Sequence, residues 1–464
     1  MELKNVKRIF FLGIGGIGMS ALARYFKMQG KEVMGYDRTS TSLTDALRAE
    51  GMPIVFEDEL SNYPNDVDLV IYTPAIPKDH VGWNSYRESA IPLMKRSEVL
   101  GLISNENFSI AVAGSHGKTT VSAMIAHILI HSGRNVHAFL GGIATNYNSN
   151  YLVPVAKPKA VNKLIKEAVV LEADEFDRSF HRLKPNMGVI TAVDTDHLDI
   201  YGSKEKIDEA FLEFTSRIDE EGFLVIKQDQ SIQEQLPTLD KAFYDLHHET
   251  ADVFCKKYWV TEKGYIFTIS YFGEEYVGFR LNVGGFHNIE NALAAFTICK
   301  ELQLSNEEIK DGLASFSGIK RRFEIVVENE NGVYIDDYAH HPEEIRVFLE
   351  SVKERYPERK ITAVFQPHLF SRTKDLATEF ASTLSIADEL LLLDIYPARE
   401  LPMEGVTSKL ILDKATSSVK KIVQKEEVVS HIEKAKPQVV VTIGAGDIDK
   451  LVPKIKQAME RLTA

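Results

Sequence analysis

The sequence predicts an α/β protein of three consecutive parts, each built on a mainly parallel sheet. Three observations lead to it. A short apolar strand, a glycine-rich or polar turn and a helix follow one another from Arg8, and the pattern restarts near Phe108 and again near Phe323. Strand and helix alternating through short turns is the pattern of a parallel sheet. The length, 464 residues, is about three times the common domain size of about 150. We place the parts at 1–106, 107–318 and 319–464.

The first part opens on the buried-strand pattern Arg8–Leu12, a glycine turn and a helix from Ile17 to about Gln29, ended by Gly30. A second strand, Glu32–Tyr36, carries Asp37 at its tip, and a third, Leu69–Tyr72, is stopped by Thr73-Pro74. Ser104–Asn107 reads as a polar linker. The second part has strand Phe108–Ala113, the turn Gly114–Thr120, a helix from Val121 to about Ile130, and buried strands at Val169–Leu171 and Val189-Ile190. Period-two alternation between Tyr258 and Val283, with a turn at Gly273, predicts an antiparallel β insert. Helices at Asn288–Glu301 and Ser305–Ala314 close this part. The third part has strands Phe323–Val327 and Val333–Ile335, a helix after Pro342, strand Ile361–Phe365, a helix from about Ser371, and strands Glu389–Leu393 and Val439–Ile443. Proline suits a first helical turn because that turn has no use for its missing N–H.

Composition narrows the function classes. The chain is 44% hydrophobic and 26% charged, with a net charge of −13 and no basic block. A general electrostatic grip on nucleic acid or on an anionic membrane is therefore not expected. Cys255 and Cys299 are the only cysteines and lack zinc-site spacing, which fits a reducing compartment. Lys4, Lys7 and Arg8 before an apolar run imitate a secretory signal, but four glycines interrupt that run. We expect a cytoplasmic protein, monomer or homodimer.

Two glycine turns carry the clearest chemistry. Gly13, Gly15, Gly16 and Gly18 form GxGxxG between a strand and a helix. Such a turn brings backbone close to a pyrophosphate and aims helix N–H groups at it, with Asp37 placed to accept a ribose hydroxyl. Gly114-Ser115-His116-Gly117-Lys118-Thr119-Thr120 is a variant P-loop, with Val112 where the usual pattern has its first glycine. Its amides cradle phosphates, Lys118 sets a positive charge near the β/γ-phosphates, and Thr119 reaches Mg²⁺. Lys118 should point into this cradle and away from the core, so its replacement should cost turnover and little stability.

Carboxylates follow at strand ends. Glu172-Ala-Asp-Glu175 and Asp194-Thr-Asp-His197-Leu-Asp199 lie where a metal bound beside a P-loop finds its ligands. Asn288 and Asn291, one helical turn apart, can read donor and acceptor on an adenine edge. Arg321-Arg322 joins the second and third parts, while Asp336-Asp337 with His340-His341, and Gln366–Arg372, follow strands at the ends where open sheets bind ligands. Two readings of different class fit: an ATP-using enzyme that activates a carboxylate, and a nucleotide-gated switch. The switch leaves Gly13–Gly18 and the histidine pair without purpose.

The series GIGGIGMSALA (13–23), GSHGKTT (114–120), EADE (172–175), DHLD (196–199), HNIENALAA (287–295), RRFE (321–324), DDYAHHP (336–342) and QPHLFSRT (366–373) resembles the Mur ligases, nearly end to end and in their order. The resemblance implies three domains: Rossmann-like for a UDP-sugar, P-loop for ATP and Mg²⁺, and Rossmann-like for the amino acid. It implies an ATP-dependent ligase of peptidoglycan precursor synthesis, joining L-alanine to UDP-N-acetylmuramate through an acyl phosphate. A branch that attaches a whole tripeptide to the same sugar is the nearest rival. Carried over by motif, the UDP-sugar group is Gly13, Gly15, Gly16, Gly18, Asp37 and Thr73, and the metal group Thr119, Glu172 and His197. The ATP group is Gly114–Thr120 with His287, Asn288, Asn291, Arg322, Asp336 and Asp337. The catalytic set is Lys118, Glu172, His197, His340, His341 and Arg372. Many relatives carry an arginine where this chain has Leu369, which leaves Arg372 alone in that motif.

Overall fold

The computed structural model describes residues 2–194, 201–330, 332–398 and 400–461. Three sheets carry the fold. The first holds β1 (Arg8–Leu12), β2 (Glu32–Tyr36), β3 (Ile54–Val55), β4 (Leu69–Tyr72) and β5 (Leu93–Lys95), ordered β3-β2-β1-β4-β5 with every pair parallel. The central strand β1 reads as an unbroken apolar run because helices cover both faces of such a sheet. Ile9, Phe11 and Leu12 have no exposed surface.

The second sheet has ten strands: β6 (Phe108–Ala113), β7 (Val136–Ala144), β8 (Ser149–Leu152), β9 (Ala168–Glu172), β10 (Met187–Ile190), β11 (Phe223–Lys227), β12 (Asp240–Asp245), β13 (Val253–Thr261), β14 (Gly264–Tyr271) and β15 (Glu274–Leu281). Its order is β15-β14-β13-β12-β11-β10-β6-β9-β7-β8. β13, β14 and β15 are sheet neighbours joined by two-residue turns, so they run antiparallel, as the alternation predicts. The third sheet holds β16 (Glu324–Glu328), β17 (Val333–Asp337), β18 (Ile361–Phe365), β19 (Glu389–Leu392), β20 (Val419–Ile422) and β21 (Val439–Ile443), ordered β16-β17-β21-β18-β19-β20. Only the β16–β17 pair is antiparallel.

The chain forms two compact units. One holds residues 1–258, 267–280 and 290–316; the other holds 259–266, 281–289 and 317–464. In the first unit the N-terminal and ten-stranded sheets share one buried apolar cluster, running from Leu3 to Ile232. The helix α1 (Ile17–Met28) makes the join. Tyr25 packs 5.3 Å from the Phe139 ring and 6.1 Å from Tyr151, measured between centroids. Asn150, fully buried on β8, donates to Ser20 Oγ at 2.9 Å and to the Ile17 carbonyl.

Two local expectations change. Ser104–Glu106 ends the helix α4 (Arg96–Glu106) instead of forming a linker, after α2 (Ser42–Ala49) and α3 (Val81–Glu88). Ser104 is buried and bonds Ser109 Oγ at 2.8 Å, so these polar residues are paired inside the protein. The helix after the variant P-loop, α5 (Lys118–His131), begins at Lys118 and not at Val121. No helix among the described residues is long and apolar enough to cross a membrane.

Candidate active site

The phosphate loop starts where β6 ends. Val112 is fully buried inside that strand, which explains the variant pattern: the turn begins two residues later, at Gly114. Gly117 caps α5 at φ +80°, a left-handed conformation that glycine adopts without strain. A Cβ there would also lie 2.8 Å from Asn291 Oδ1, so Asn291 stands directly against the loop. Ser115 is tied to the segment after β10: its N–H donates to the Ala192 carbonyl at 2.9 Å, and Asp194 N–H donates to Ser115 Oγ at 2.9 Å. Thr191 Oγ1 donates to the His116 carbonyl, and His116 lies 3.6 Å from Asp194. Thr120 is buried.

Lys118 bonds within the turn and also to a buried carboxylate. Its ammonium donates to the Gly114 carbonyl at 2.6 Å and to Glu175 Oε1 at 2.9 Å, with Glu175 Oε2 at 2.8 Å. Burial pulls the Lys118 pKa down, but Glu175 and Glu172 outweigh it and hold it above its ordinary value. Burial raises the Glu175 carboxyl, against the pull of Lys118. We read a charged lysine stabilised by a buried carboxylate. Tyr201 holds the backbone here, donating to the Glu175 carbonyl at 2.6 Å.

Glu172 ends β9 and is held at both oxygens. Thr119 Oγ1 donates to Oε1 at 3.0 Å, and Gly141 N–H donates to Oε2 at 2.7 Å. A Cβ on Gly141 would lie 2.6 Å from Oε1, so the glycine makes room for the carboxylate. The hydroxyl and carboxylate oxygens of Thr119 and Glu172 are the hard donors that suit Mg²⁺. His197 lies outside the described residues, and among the described residues no three of His, Cys, Asp or Glu cluster as a metal site.

At the N-terminal glycine loop, Gly13 N–H donates to the Tyr36 carbonyl at 2.8 Å, and a Cβ on Gly13 would lie 2.6 Å from Thr73. Gly16 N–H closes the turn on the Gly13 carbonyl at 3.3 Å. Asp37 accepts from Gly15 N–H at 2.8 Å and from Thr39 N–H at 3.2 Å. Its carboxylate thus holds the loop itself, a role that strand-tip placement alone does not reveal. Gly18, in the first turn of α1, lies under the guanidinium of Arg96.

The remaining expected residues lie in the second unit, apart from Asn291. His287 is buried beside Arg322, and burial and that charge push its pKa down to about 4, so it is neutral at working pH. Asn288 donates to the Gly284 carbonyl at 2.6 Å, and part of its amide is therefore committed within the loop. Asp336 and Asp337 depart from the exposed carboxylates that ATP contact calls for. Asp336 is fully buried, and Arg321 Nε donates to it at 3.3 Å while Thr442 Oγ1 donates to its other oxygen. Asp337 accepts from Phe323 N–H at 2.6 Å and Ala339 N–H at 2.7 Å; burial still pushes it up to about 7. Arg321 ties β17 to the end of β21, donating also to the Gly444 carbonyl at 2.6 Å. The amides of His340 and His341 both donate to Glu344, at 3.0 and 3.2 Å, so the pair starts the helix Pro342–Arg355. Arg372 Nη1 is buried with no hydrogen-bond partner among the described residues.

Sequence reasoning missed Gly141, Arg96 and the Lys118–Glu175 pair. Gly141 sits in a strand with no motif around it, and its only signal is a glycine interrupting β7, a mark of close approach.

This geometry is matched by comparisons with known proteins. The Mur ligase family catalytic domain matches residues 8–107, the Mur ligase middle domain 112–299, and the Mur ligase glutamate ligase domain 321–446. A UDP-N-acetylmuramate–L-alanine ligase of Flavobacterium johnsoniae is 45% identical over 464 residues, 99% of each chain. The crystal structure of the UDP-N-acetylmuramate-alanine ligase MurC from Thermotoga maritima has a TM-score of 0.82 at 30% identity, over 99% of this chain and 100% of that one. A murein peptide ligase from Psychrobacter arcticus shares the fold, with a TM-score of 0.70 at 21% identity over 99% of this chain and 100% of that one. With three domain matches in register along the chain and full-length identity of this order, the chain belongs to the Mur ligase family.

Proposed function

We propose that this protein is an ATP-dependent ligase that joins L-alanine to the lactyl carboxylate of UDP-N-acetylmuramate, in cytoplasmic synthesis of peptidoglycan precursors. The observation that carries this is the 45% identity to an L-alanine ligase over 99% of both chains. It covers the phosphate loop, both carboxylate clusters and the C-terminal motifs together. We assign the UDP-sugar to the part at 1–106, ATP to 107–318 and the amino acid to 319–464.

The reaction runs in two steps. A carboxylate oxygen of the sugar's lactyl group attacks the γ-phosphorus of ATP. A P–O bond forms, the bond to ADP breaks, and an acyl phosphate results. The neutral amine of L-alanine then attacks the acyl carbon, phosphate leaves with its bonding pair, and the amine proton passes to solvent. The first step brings anion against polyanion, so charge neutralisation dominates its barrier. Lys118 offsets charge on the γ-phosphate, and loop amides between His116 and Thr120 hold the phosphate oxygens, the Ser115 amide being taken by the Ala192 carbonyl. Thr119, Glu172 and His197 are the residues that would hold Mg²⁺, which when bound would add to the neutralisation of the phosphates. His287, Asn288 and Asn291 belong to the adenine side, and Arg322 to the C-terminal group that meets ATP and the amino acid. Asp336 and Asp337 act as positioning residues there, since both carboxylates are engaged within the fold. His340, His341 and Arg372 receive the amino acid, with Arg372 on its carboxylate.

Phosphate release at saturating UDP-N-acetylmuramate and ATP tests the reading, with L-alanine, glycine, L-serine and L-alanyl-γ-D-glutamyl-diaminopimelate compared. L-Alanine should give the highest kcat/KM. Glycine should fall short of it by about 10- to 200-fold, the value of one methyl group in an apolar pocket. A higher kcat/KM for the tripeptide would move the protein to the tripeptide-attaching branch.

A further inference from the structure

We propose that Arg96 is the cation that grips the diphosphate of the UDP-sugar at the glycine loop, an inference that rests on the substrate proposed above. A diphosphate brings two negative charges to this loop. The start of α1 offers only about half a positive charge there, and the run from Gly13 to Ala23 contains no basic residue. Asp37 adds a negative charge, 2.8 Å from Gly15 N. The loop as the sequence writes it is therefore short of positive charge, and a neighbouring element has to supply it.

Arg96 is placed to do so. It opens α4, at the end of β5, and a Cβ on Gly18 would lie 2.5 Å from its Nη1. The guanidinium thus lies against the first turn of α1, where a Cβ at position 18 would displace it. Its one polar contact among the described residues is Nη2 to Asp174 Oδ2 at 3.4 Å, with the side chain 23% exposed. That single long contact leaves most of its five N–H donors for a ligand. The basic side chains of α1 itself are committed. Arg24 donates to Glu50 at 2.6 Å and to Asn150, and Lys27 donates to the Gly51 carbonyl at 2.9 Å. A planar guanidinium also matches two phosphate oxygens at once, which an ammonium does not. Asp174 lies two residues beyond Glu172, so Arg96 joins the glycine loop to the strand end that carries the proposed metal donor.

The test is calorimetric titration of the full chain with UDP, UDP-N-acetylmuramate and uridine. For Arg96→Ala, Kd should rise about 10- to 100-fold for both diphosphates, the loss of a charge-assisted contact. Uridine binding should stay within about twofold, because it carries no phosphate. Arg96→Lys should recover part of the loss, and the loss should shrink as salt rises. Arg38→Ala, which removes the exposed arginine beside Asp37, should leave UDP binding unchanged. If Arg96→Ala folds poorly, Arg96→Gln carries the same expectation. Unchanged UDP binding by the Arg96 variants overturns the proposal. So does a loss seen with UDP-N-acetylmuramate and not with UDP, which would place the arginine on the lactyl carboxylate. A native protein that binds neither diphosphate compound would instead fail the proposed function, leaving the two failures distinct.

Discussion

Gly141→Ala should disable the enzyme while leaving the fold intact, although the change adds one methyl group at an exposed strand position. In an ordinary strand the substitution would be neutral or mildly stabilising, because alanine loses less chain entropy on folding. Here the new Cβ would lie 2.7 Å from Glu172 Cδ. Carbon atoms settle at about 3.5 Å or more, so the carboxylate has to move by about 1 Å. It cannot do so and keep both of its bonds, from Gly141 N–H at 2.7 Å and Thr119 Oγ1 at 3.0 Å. A displacement of about 1 Å at a catalytic group costs on the order of 100-fold in rate, equivalent to about 2.7 kcal/mol. The expected outcome is a kcat lower by about 100-fold, a raised Mg²⁺ requirement, and a Tm within about 2 °C of the native value, as for a surface change. Steady-state phosphate release across a Mg²⁺ titration, with a thermal melt on the same samples, reads all three. A variant with native kcat and native Mg²⁺ dependence would refute the role given to Glu172 and to the cradle around it.

Further outcomes follow from other pairs. Lys118→Ala should abolish turnover and also lower stability, since removing one member of a buried ion pair costs about 3–5 kcal/mol; adding Glu175→Gln should restore much of the stability and none of the turnover, as read by urea unfolding. His127, buried between Tyr147 and Ser315, has its pKa pushed down to about 4 by burial, with His131 adding to the effect. A depressed base contributes stability above its unfolded pKa of about 6.5, and loses it as pH falls toward 4, by up to about 1.4 kcal/mol per pH unit. His127→Gln should therefore unfold with a flatter pH dependence across that window, and an unchanged slope would remove His127 as the cause. Leu369 holds φ +71° with ψ 138°, a backbone region that costs a residue with a Cβ about 1–3 kcal/mol. Leu369→Gly should raise Tm, and a fall would show that its side chain contributes more than the strain it carries.

The sequence by itself determined the elements with strong local codes. β1, α1 and β2 appear as read, because an apolar run, a glycine turn and a terminating Gly30 each act over a few residues. The antiparallel insert and the strands Ile361–Phe365 and Val439–Ile443 were legible for the same reason. So were the strand, turn and helix around Gly114–Thr120 and the place of Glu172 at the end of β9, since each is coded by a few neighbouring residues. Only the tertiary structure decided which partners they take. Glu175 meets Lys118 across 57 positions, Gly141 meets Glu172 across 31, and Arg96 meets Asp174 across 78. None of these pairs leaves a periodic or spacing signal, because each depends on which strands lie side by side in the sheet. The same holds for Ser104–Glu106. Their polarity reads as a linker, yet packing of α4 beside β6 gives Ser104 a partner in Ser109 and lets the helix continue. Local chemistry writes turns and faces into a sequence; the pairing of charges waits for the order of the strands, which is set by burying all the apolar faces at once.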